Sequence, residues 1–367
     1  MPMRYSRQEI FNEIGKSGQS KLRKSAVAIV GLGALGSVSA ELLARAGIGK
    51  LILIDRDVVE LSNLQRQSLY DEEDIGKPKA LAAKERLNKI NSEVEIEIFA
   101  DDLDYNNISE IISITKEGND GKNIDENGNN DKKNMKNSKK NSNNIKISNN
   151  KNADLILDCT DNLETRFLIN DFSVKNKIPF IYSSAVGSKG YVFDIMPNKG
   201  NPCLRCFLKE AAQLDTCETA GVLNTITHIM PSIQVNESIK ILLGKKGIER
   251  NLMFFDVWKN ELLKIKVNKN KNCECCVKNN FEYLSGKRAS KAMKMCGNEV
   301  FQIKNKSMNI SQFKDLRNKL KKIGKVIDFD YCLNFNNIIT VFQDGRALIK
   351  AKGEKEAKSL YSKFVGN

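Results

Sequence analysis

One stretch of about thirty residues constrains this chain more than any other. A short apolar run, Ser25–Val30, stops at Gly31-Leu32-Gly33-Ala34-Leu35-Gly36, and helical spacing takes over at 35–46. A second apolar run, Leu51–Asp55, ends on an acid 19 residues after Gly36. This is a strand, a glycine turn, a helix and a second strand. The glycines let phosphate approach backbone N–H groups at a helix N-terminus. An acid at the end of the second strand suits ribose hydroxyls. A glycine motif alone is weak. With strand, helix and acid in place it points to an adenine nucleotide, without separating NAD from ATP.

The same alternation continues along the chain. Residues 8–24 and 78–91 read as helices, with Pro78 opening the second, and Val94–Ala100 alternates as a strand. Ala153–Cys159 is another apolar run, 163–176 a helix and Pro179–Ser183 a strand. Strands alternating with helices predict an α/β fold: a doubly wound, Rossmann-like, mostly parallel sheet. Ligands bind beyond the carboxyl ends of such strands, where Gly31, Asp55 and Asp161 fall. Residues 281–367 read differently. Strands are expected at 299–304, 325–329, 332–335, 338–343 and 347–350, with helices at 311–323 and 354–364. That predicts a small α+β domain, so the expected division is 1–280 and 281–367.

Charge follows this division. The chain has 367 residues and a net charge of +14, which at first suggests nucleic acid. Residues 116–152 hold 13 Asn and nine Lys against five acids. Without periodicity or apolar content, that block is expected to be a disordered surface insertion. Residues 281–367 hold 18 Lys/Arg against eight acids, so the remainder is neutral. The excess therefore sits away from the nucleotide motif. No apolar run approaches the length of a membrane span, and the N-terminus has no signal-like segment. Nine Cys without an export signal fit a reducing cytoplasm, where metal ligation or catalysis outweighs disulfides.

The residues after the ribose acid separate nucleotide chemistries. Asn63-Leu64-Gln65-Arg66-Gln67 and Gly76-Lys77-Pro78-Lys79 place cations where hydride transfer has no use for them. Attack on an α-phosphate develops negative charge that Arg66 and Lys79 can stabilise. Asp161, in Asp158-Cys159-Thr160-Asp161-Asn162, could hold Mg²⁺, a hard cation that prefers oxygen. Either cation alone would read as a solvated surface charge; together they favour nucleotidyl transfer over NAD-linked redox.

Two CxxC pairs form the second signal. Cys203/Cys206 and Cys273/Cys276 supply four thiolates for a closed, structural Zn²⁺ site. Cys275 lies inside the second pair, but Cys273/Cys276 has the better spacing. Cys217 sits in a polar stretch before a helical run, where a reactive thiolate and an incidental surface Cys weigh nearly equally. His228, the one His, has apolar neighbours and reads as a packed helix residue.

Taken together, these stretches resemble the ThiF/MoeB/HesA family, the E1-like enzymes that activate ubiquitin-like sulfur carriers. The matching segments are Arg4–Gln8, Gly31–Gly36, Asp55-Arg56-Asp57, Leu61–Gln67, Gly76–Lys79, Asp158–Asn162, Pro202–Cys206, Thr216-Cys217-Glu218, Ala220–Leu223 and the 273/276 pair. They run from about residue 3 to 280. The resemblance implies binding of ATP·Mg²⁺ and of the C-terminal Gly-Gly tail of a small β-grasp carrier. The tail carboxylate would attack the α-phosphate, giving an acyl-adenylate and pyrophosphate. By position, Asp55 with Asp57 and Asn63 would line the nucleotide, Arg66 and Lys79 the phosphates, and Asp161 the metal. Arg7 would act from a second subunit, which implies a homodimer. Cys217 matches a family cysteine that forms a covalent link to the carrier in some members and is dispensable in others. A sulfurtransferase or cysteine desulfurase is the further partner such a pathway implies.

Two functions are therefore expected to compete. One is the carrier-adenylating enzyme, serving thiamine, molybdopterin or tRNA thiolation. The other is a tRNA-binding E1-like modification enzyme acting through the basic C-terminal segment, the one place where nucleic acid is expected.

Overall fold

The computed structural model describes residues 3–112, 153–198, 200–208, 220–288, 300–303, 308–329, 332–343 and 345–366. The Asn-rich block, Cys217 and Cys296 lie outside the described residues.

The chain opens with two short helices, α1 (Ser6–Ile10) and α2 (Gly15–Leu22). The single helix expected over 8–24 is broken at Phe11, whose ψ of 114° is extended, and α2 starts afresh at Gly15, where φ is +61°. Next come β1 (Ala26–Val30), α3 (Gly36–Ala46) and β2 (Lys50–Ile54). Then follow α4 (Lys79–Ile90), β3 (Glu95–Phe99), α5 (Ile108–Ile112), β4 (Leu155–Asp158) and α6 (Leu163–Asn176). Pro78 is the residue preceding α4 rather than its first turn. The unit continues with β5 (Phe180–Val186), β6 (Lys189–Ile195), α7 (Ile226–Leu243), β7 (Leu252–Asp256) and β8 (Glu261–Ile265).

The eight strands form one sheet in the order β3-β2-β1-β4-β5-β6-β7-β8. The first five are parallel, and β5 through β8 pair antiparallel. Strands β1, β2 and β4 are buried throughout, the consequence of covering both sheet faces with helices. One core, with Leu43, Ala83 and Met230, brings α3, α4 and α7 to one face. The other, with Ile111, Phe167 and Phe172, brings α5 and α6 to the opposite face. Phe281, Tyr283 and Leu284 pack against this second core, so the first unit's packing continues past residue 280.

His228 departs from expectation. It lies on α7 but is exposed, its Nδ1 2.8 Å from the Asn224 carbonyl oxygen in the first turn. The apolar neighbours Ile226 and Met230 are the buried ones.

The C-terminal residues form a second, antiparallel sheet: β9 (Val300–Ile303), β10 (Val326–Asp328), β11 (Cys332–Phe335), β12 (Ile339–Phe342) and β13 (Ala347–Lys350), in the order β10-β11-β12-β13-β9. Helices α8 (Ile310–Lys321) and α9 (Glu354–Phe364) accompany it. Alternation decides which face each residue serves. Leu333, Phe335, Ala347 and Ile349 join α8 and α9 in one core. Cys332, Phe342 and Leu348 face the other way and pack against Val58 and Ala100 of the first unit.

Candidate functional site

The glycine turn sits where β1 ends. Gly31 has φ +87°, and a Cβ there would come within 2.7 Å of the Cys159 carbonyl oxygen. At Gly36 a Cβ would lie 1.8 Å from the Gly31 carbonyl oxygen, so α3 can start this close to the turn only with glycine. Gly33 differs: its nearest neighbour would be Gln67 Nε2 at 3.7 Å, an ordinary contact. Nothing in the chain itself forces glycine at 33, which leaves backbone open on the side a phosphate would approach.

Asp55 organises the turn. It is buried, and its Oδ2 accepts from Leu32 N (2.6 Å) while Oδ1 accepts from Asp57 N (2.7 Å). Burial pushes its pKa up to about 6 against the pull of Lys79. Lys79 begins α4, 6% exposed, with Nζ 3.1 Å from Asp57 Oδ2. Burial disfavours its charge, but the Asp57 and Asp55 carboxylates outweigh that and hold the ammonium above its usual pKa. Asp161, exposed beyond β4, also acts on Lys79. The two strand-end acids, the glycine turn, Lys79 and Asp161 thus meet at the carboxyl edge of the parallel strands.

Asp158 ends β4 fully buried, accepting from Thr160 N (3.0 Å) and Thr160 Oγ1 (2.8 Å), and Asn162 Oδ1 caps α6 through Glu164 N. These bonds fix the backbone on both sides of Asp161. Burial raises the pKa of Asp158, with Arg166 3.6 Å away opposing it.

Other expected residues stand further out. Asn63 is buried, its Oδ1 taking Glu60 N at 3.2 Å. Arg66 folds back on its own turn, donating to the Ser62 carbonyl (2.8 Å). Arg7 is exposed on α1. Its helix meets the end of α3, where Gln8 Nε2 donates to the Ala46 carbonyl (2.9 Å), and α3 is about 16 Å long at 1.5 Å per residue. Arg7 is therefore remote from the glycine turn of its own chain.

Two groups at the site carry signals that spacing alone does not reveal. Gln67 is 3% exposed beside Gly33, and its Oε1 has no hydrogen-bond partner among the described residues. Tyr70 donates from its buried hydroxyl to the Leu32 carbonyl (2.9 Å), bracing the turn from outside. Gln67 closes the Asn63–Gln67 motif and Tyr70 follows it three residues on, and only burial marks them out.

The four cysteines converge as their spacing predicts. Sγ atoms of Cys203, Cys206, Cys273 and Cys276 all lie within 4.8 Å of one another. Individual separations are 4.0 Å (203–206), 3.6 Å (203–273) and 3.5 Å (206–276). Tetrahedral zinc with Zn–S bonds of about 2.3 Å needs S···S separations of about 3.8 Å, so the donor set fits. Cys275 is not part of this set of four, and its Sγ accepts from Asn170 Nδ2 (3.2 Å).

Comparison with known proteins agrees with these features. Over its full length the chain is 37% identical to the sulfur carrier protein ThiS adenylyltransferase of Bacillus subtilis, covering 100% of both. It is 32% identical to the Escherichia coli protein of the same name over 75% of this chain and 94% of that one. Among solved structures, E. coli MccB crystallised with MccA-N7isoASN shares the fold, with TM-score 0.57 and 20% identity over 75% of each chain. The model of the ThiF family spans residues 5–277, which takes in the glycine turn, both strand-end acids, Lys79, Asp161 and all four cysteines. The chain belongs to the ThiF family.

Proposed function

We propose that this protein is an adenylyltransferase that activates the C-terminal carboxylate of a ubiquitin-like sulfur carrier, first of all one of the ThiS type. The observation that carries this reading is the buried Lys79 held between Asp57 and Asp55 at the mouth of the glycine turn, with Asp161 facing it. That grouping suits phosphoryl chemistry on ATP and offers nothing to a hydride.

In this reading the turn's N–H groups and Gly33 accept the phosphates, and Asp55 faces the ribose. Arg66 swings from Ser62 to join Lys79 at the α-phosphate, with Asn63 and Gln67 as neutral donors. A carrier carboxylate oxygen bonds to the α-phosphorus as the bond to the bridging oxygen breaks. Pyrophosphate leaves with that electron pair, and Lys79 and Arg66 offset the growing charge. Mg²⁺, which neutralises phosphate charge, would be held by Asp161 with the phosphates themselves. Zn²⁺ in the four-cysteine site would tie the Cys203 turn to the Cys273 turn and take no part in chemistry.

Arg7, remote from its own site, would serve a second copy, so the active form is a homodimer. Cys217 would act only after adenylation. The open edge strand β8, with Leu262, Leu263 and Ile265 exposed, suits a β-rich carrier. Residues up to 288 belong with the adenylation unit, and the C-terminal sheet is a separate domain. The tRNA-binding alternative draws no support from the named relatives. Among the described residues no helix is long and apolar enough to cross a membrane.

Carrier-dependent ATP–pyrophosphate exchange tests the proposal. Exchange with a ThiS-type carrier is expected to vanish in Asp161→Ala and survive in Cys217→Ala. Absence of exchange with ThiS-type, MoaD-type and archaeal modifier-type carriers alike would overturn it.

A further inference from the structure

Arg346 lies outside the region matched by the family, in the turn before β13 of the C-terminal sheet. Yet it is 1% exposed, among the most completely buried large side chains of the molecule. Burying a guanidinium is costly unless its donors are satisfied. Three of its polar contacts are to the adenylation unit. Nη1 donates to the Arg56 carbonyl at 2.9 Å, Nη2 donates to the Ala100 carbonyl, and Nε lies 3.6 Å from Asp101 Oδ1. The guanidinium stacks 3.7 Å over the Phe342 ring. One side chain thus clasps the ends of β2 and β3.

The Arg56 carbonyl belongs to the same peptide unit as the Asp57 N–H. In a trans peptide these two groups point in opposite directions. Arg346 grips the oxygen end, and Asp55 Oδ1 takes the N–H end at 2.7 Å. The other oxygen of Asp55 holds Leu32 N in the glycine turn. A second link runs in parallel. Gln302 of β9 donates to Asp102 Oδ2 (2.5 Å), and Asp102 Oδ1 pairs with Arg56 Nη1 at 2.8 Å. Arg56 in turn lies 3.7 Å from Asp57, the partner of Lys79. Docking alone would need only the apolar patch of Cys332, Phe342 and Leu348. The buried cation instead addresses the peptide on which Asp55 and Asp57 hang.

We propose that Arg346 is a positioning residue for nucleotide binding: through the 56–57 peptide it fixes Asp55 and Asp57, so that the C-terminal sheet completes the ATP site it does not itself touch. This rests on the adenylyltransferase reading above. A loosened 56–57 peptide would weaken the ribose and phosphate contacts before it touched the reacting atoms, so the effect falls on ATP affinity.

The test uses the full-length chain with R346M, R346K and L316A, reading calorimetric binding of ATP·Mg²⁺ alongside KM and kcat of carrier-dependent exchange. Leu316 of α8 is buried in the core of the C-terminal unit, so L316A opens a cavity in that core without removing a hydrogen bond of the Arg346 turn or of the 56–57 peptide. R346M is expected to raise Kd and KM for ATP at least about tenfold with kcat within about threefold, R346K to recover part of the loss, and L316A to lower Tm with Kd unchanged. Unchanged ATP affinity in R346M, or an equal loss in a folded L316A, would overturn the proposal. If R346M does not fold, R346K decides, and wild-type affinity there would overturn it. Because calorimetry needs no carrier, wild-type ATP binding without exchange would sink the adenylation reading and leave the Arg346 test intact.

Discussion

Lys79 Nζ lies 3.1 Å from Asp57 Oδ2, and Lys79 is almost wholly buried in making that contact. A buried pair of this kind contributes little net stability, because desolvation offsets much of the attraction. Its retention at the mouth of the glycine turn is better explained by a cation kept ready for phosphate. Lys79→Met is expected to lower carrier-dependent exchange by about 10²- to 10³-fold, the usual effect of losing one pre-positioned charge donor. Circular dichroism and thermal melts separate this from misfolding. Near-wild-type exchange in a folded variant would remove Lys79 from the site.

The cysteine cluster makes a second prediction. Four sulfurs within 4.8 Å of one another match a closed tetrahedral site. The purified chain should contain one zinc per protomer by elemental analysis. Cys273→Ser should lose it and melt at least about 10 °C lower, since metal binding to such sites is folding free energy. A metal-free wild type with an unchanged melting temperature would contradict the assignment.

A third prediction concerns Asp194, on β6. It is 5% exposed and lies against Glu237 of α7. Burial and the Glu237 and Glu249 carboxylates push its pKa up to about 9, with Lys240 pulling the other way. In the unfolded chain the same group titrates near the ordinary 3.8. Between these values the folded state holds a proton that the unfolded state has released. Stability therefore falls as pH rises from about 4 to about 9, by up to about 1.4 kcal/mol per unit, and no further above that. Asp194→Asn removes the titrating group, so the variant should gain on wild type steadily between pH 5 and pH 8. Urea unfolding at both pH values checks this, and parallel curves would refute it.

Much of this site is legible in the sequence because its parts are local. Gly31, Gly33, Gly36 and Asp55 sit in one strand–turn–helix–strand unit, and spacing alone puts them together. The four cysteines are legible for another reason, since CxxC turns carry their own geometry. The antiparallel edge strand β8 is not announced, because Glu261–Ile265 is exposed along both faces and loses the alternation of a half-buried strand. His228 misleads because its neighbours in sequence are buried while its own direction on α7 is outward. Arg346 is the least legible of all. An arginine in an Asp-Gly-Arg turn reads as a solvated charge, and only the packing of one sheet against the other shows where its guanidinium goes.

The last prediction concerns Arg7. Its exposure on α1, a helix length from the glycine turn, means that it can serve a site only across an interface. Arg7→Ala and Asp161→Ala should each be inactive in exchange. Co-expressed in equal amounts, half the dimers are mixed, and each mixed dimer carries one site with both residues intact. Activity should therefore return to about a quarter of wild type per protomer, as expected for random assembly of a two-fold dimer. Mixing after purification should restore less, in proportion to how slowly subunits exchange. If co-expression leaves activity at the level of the separate variants, Arg7 does not act in trans.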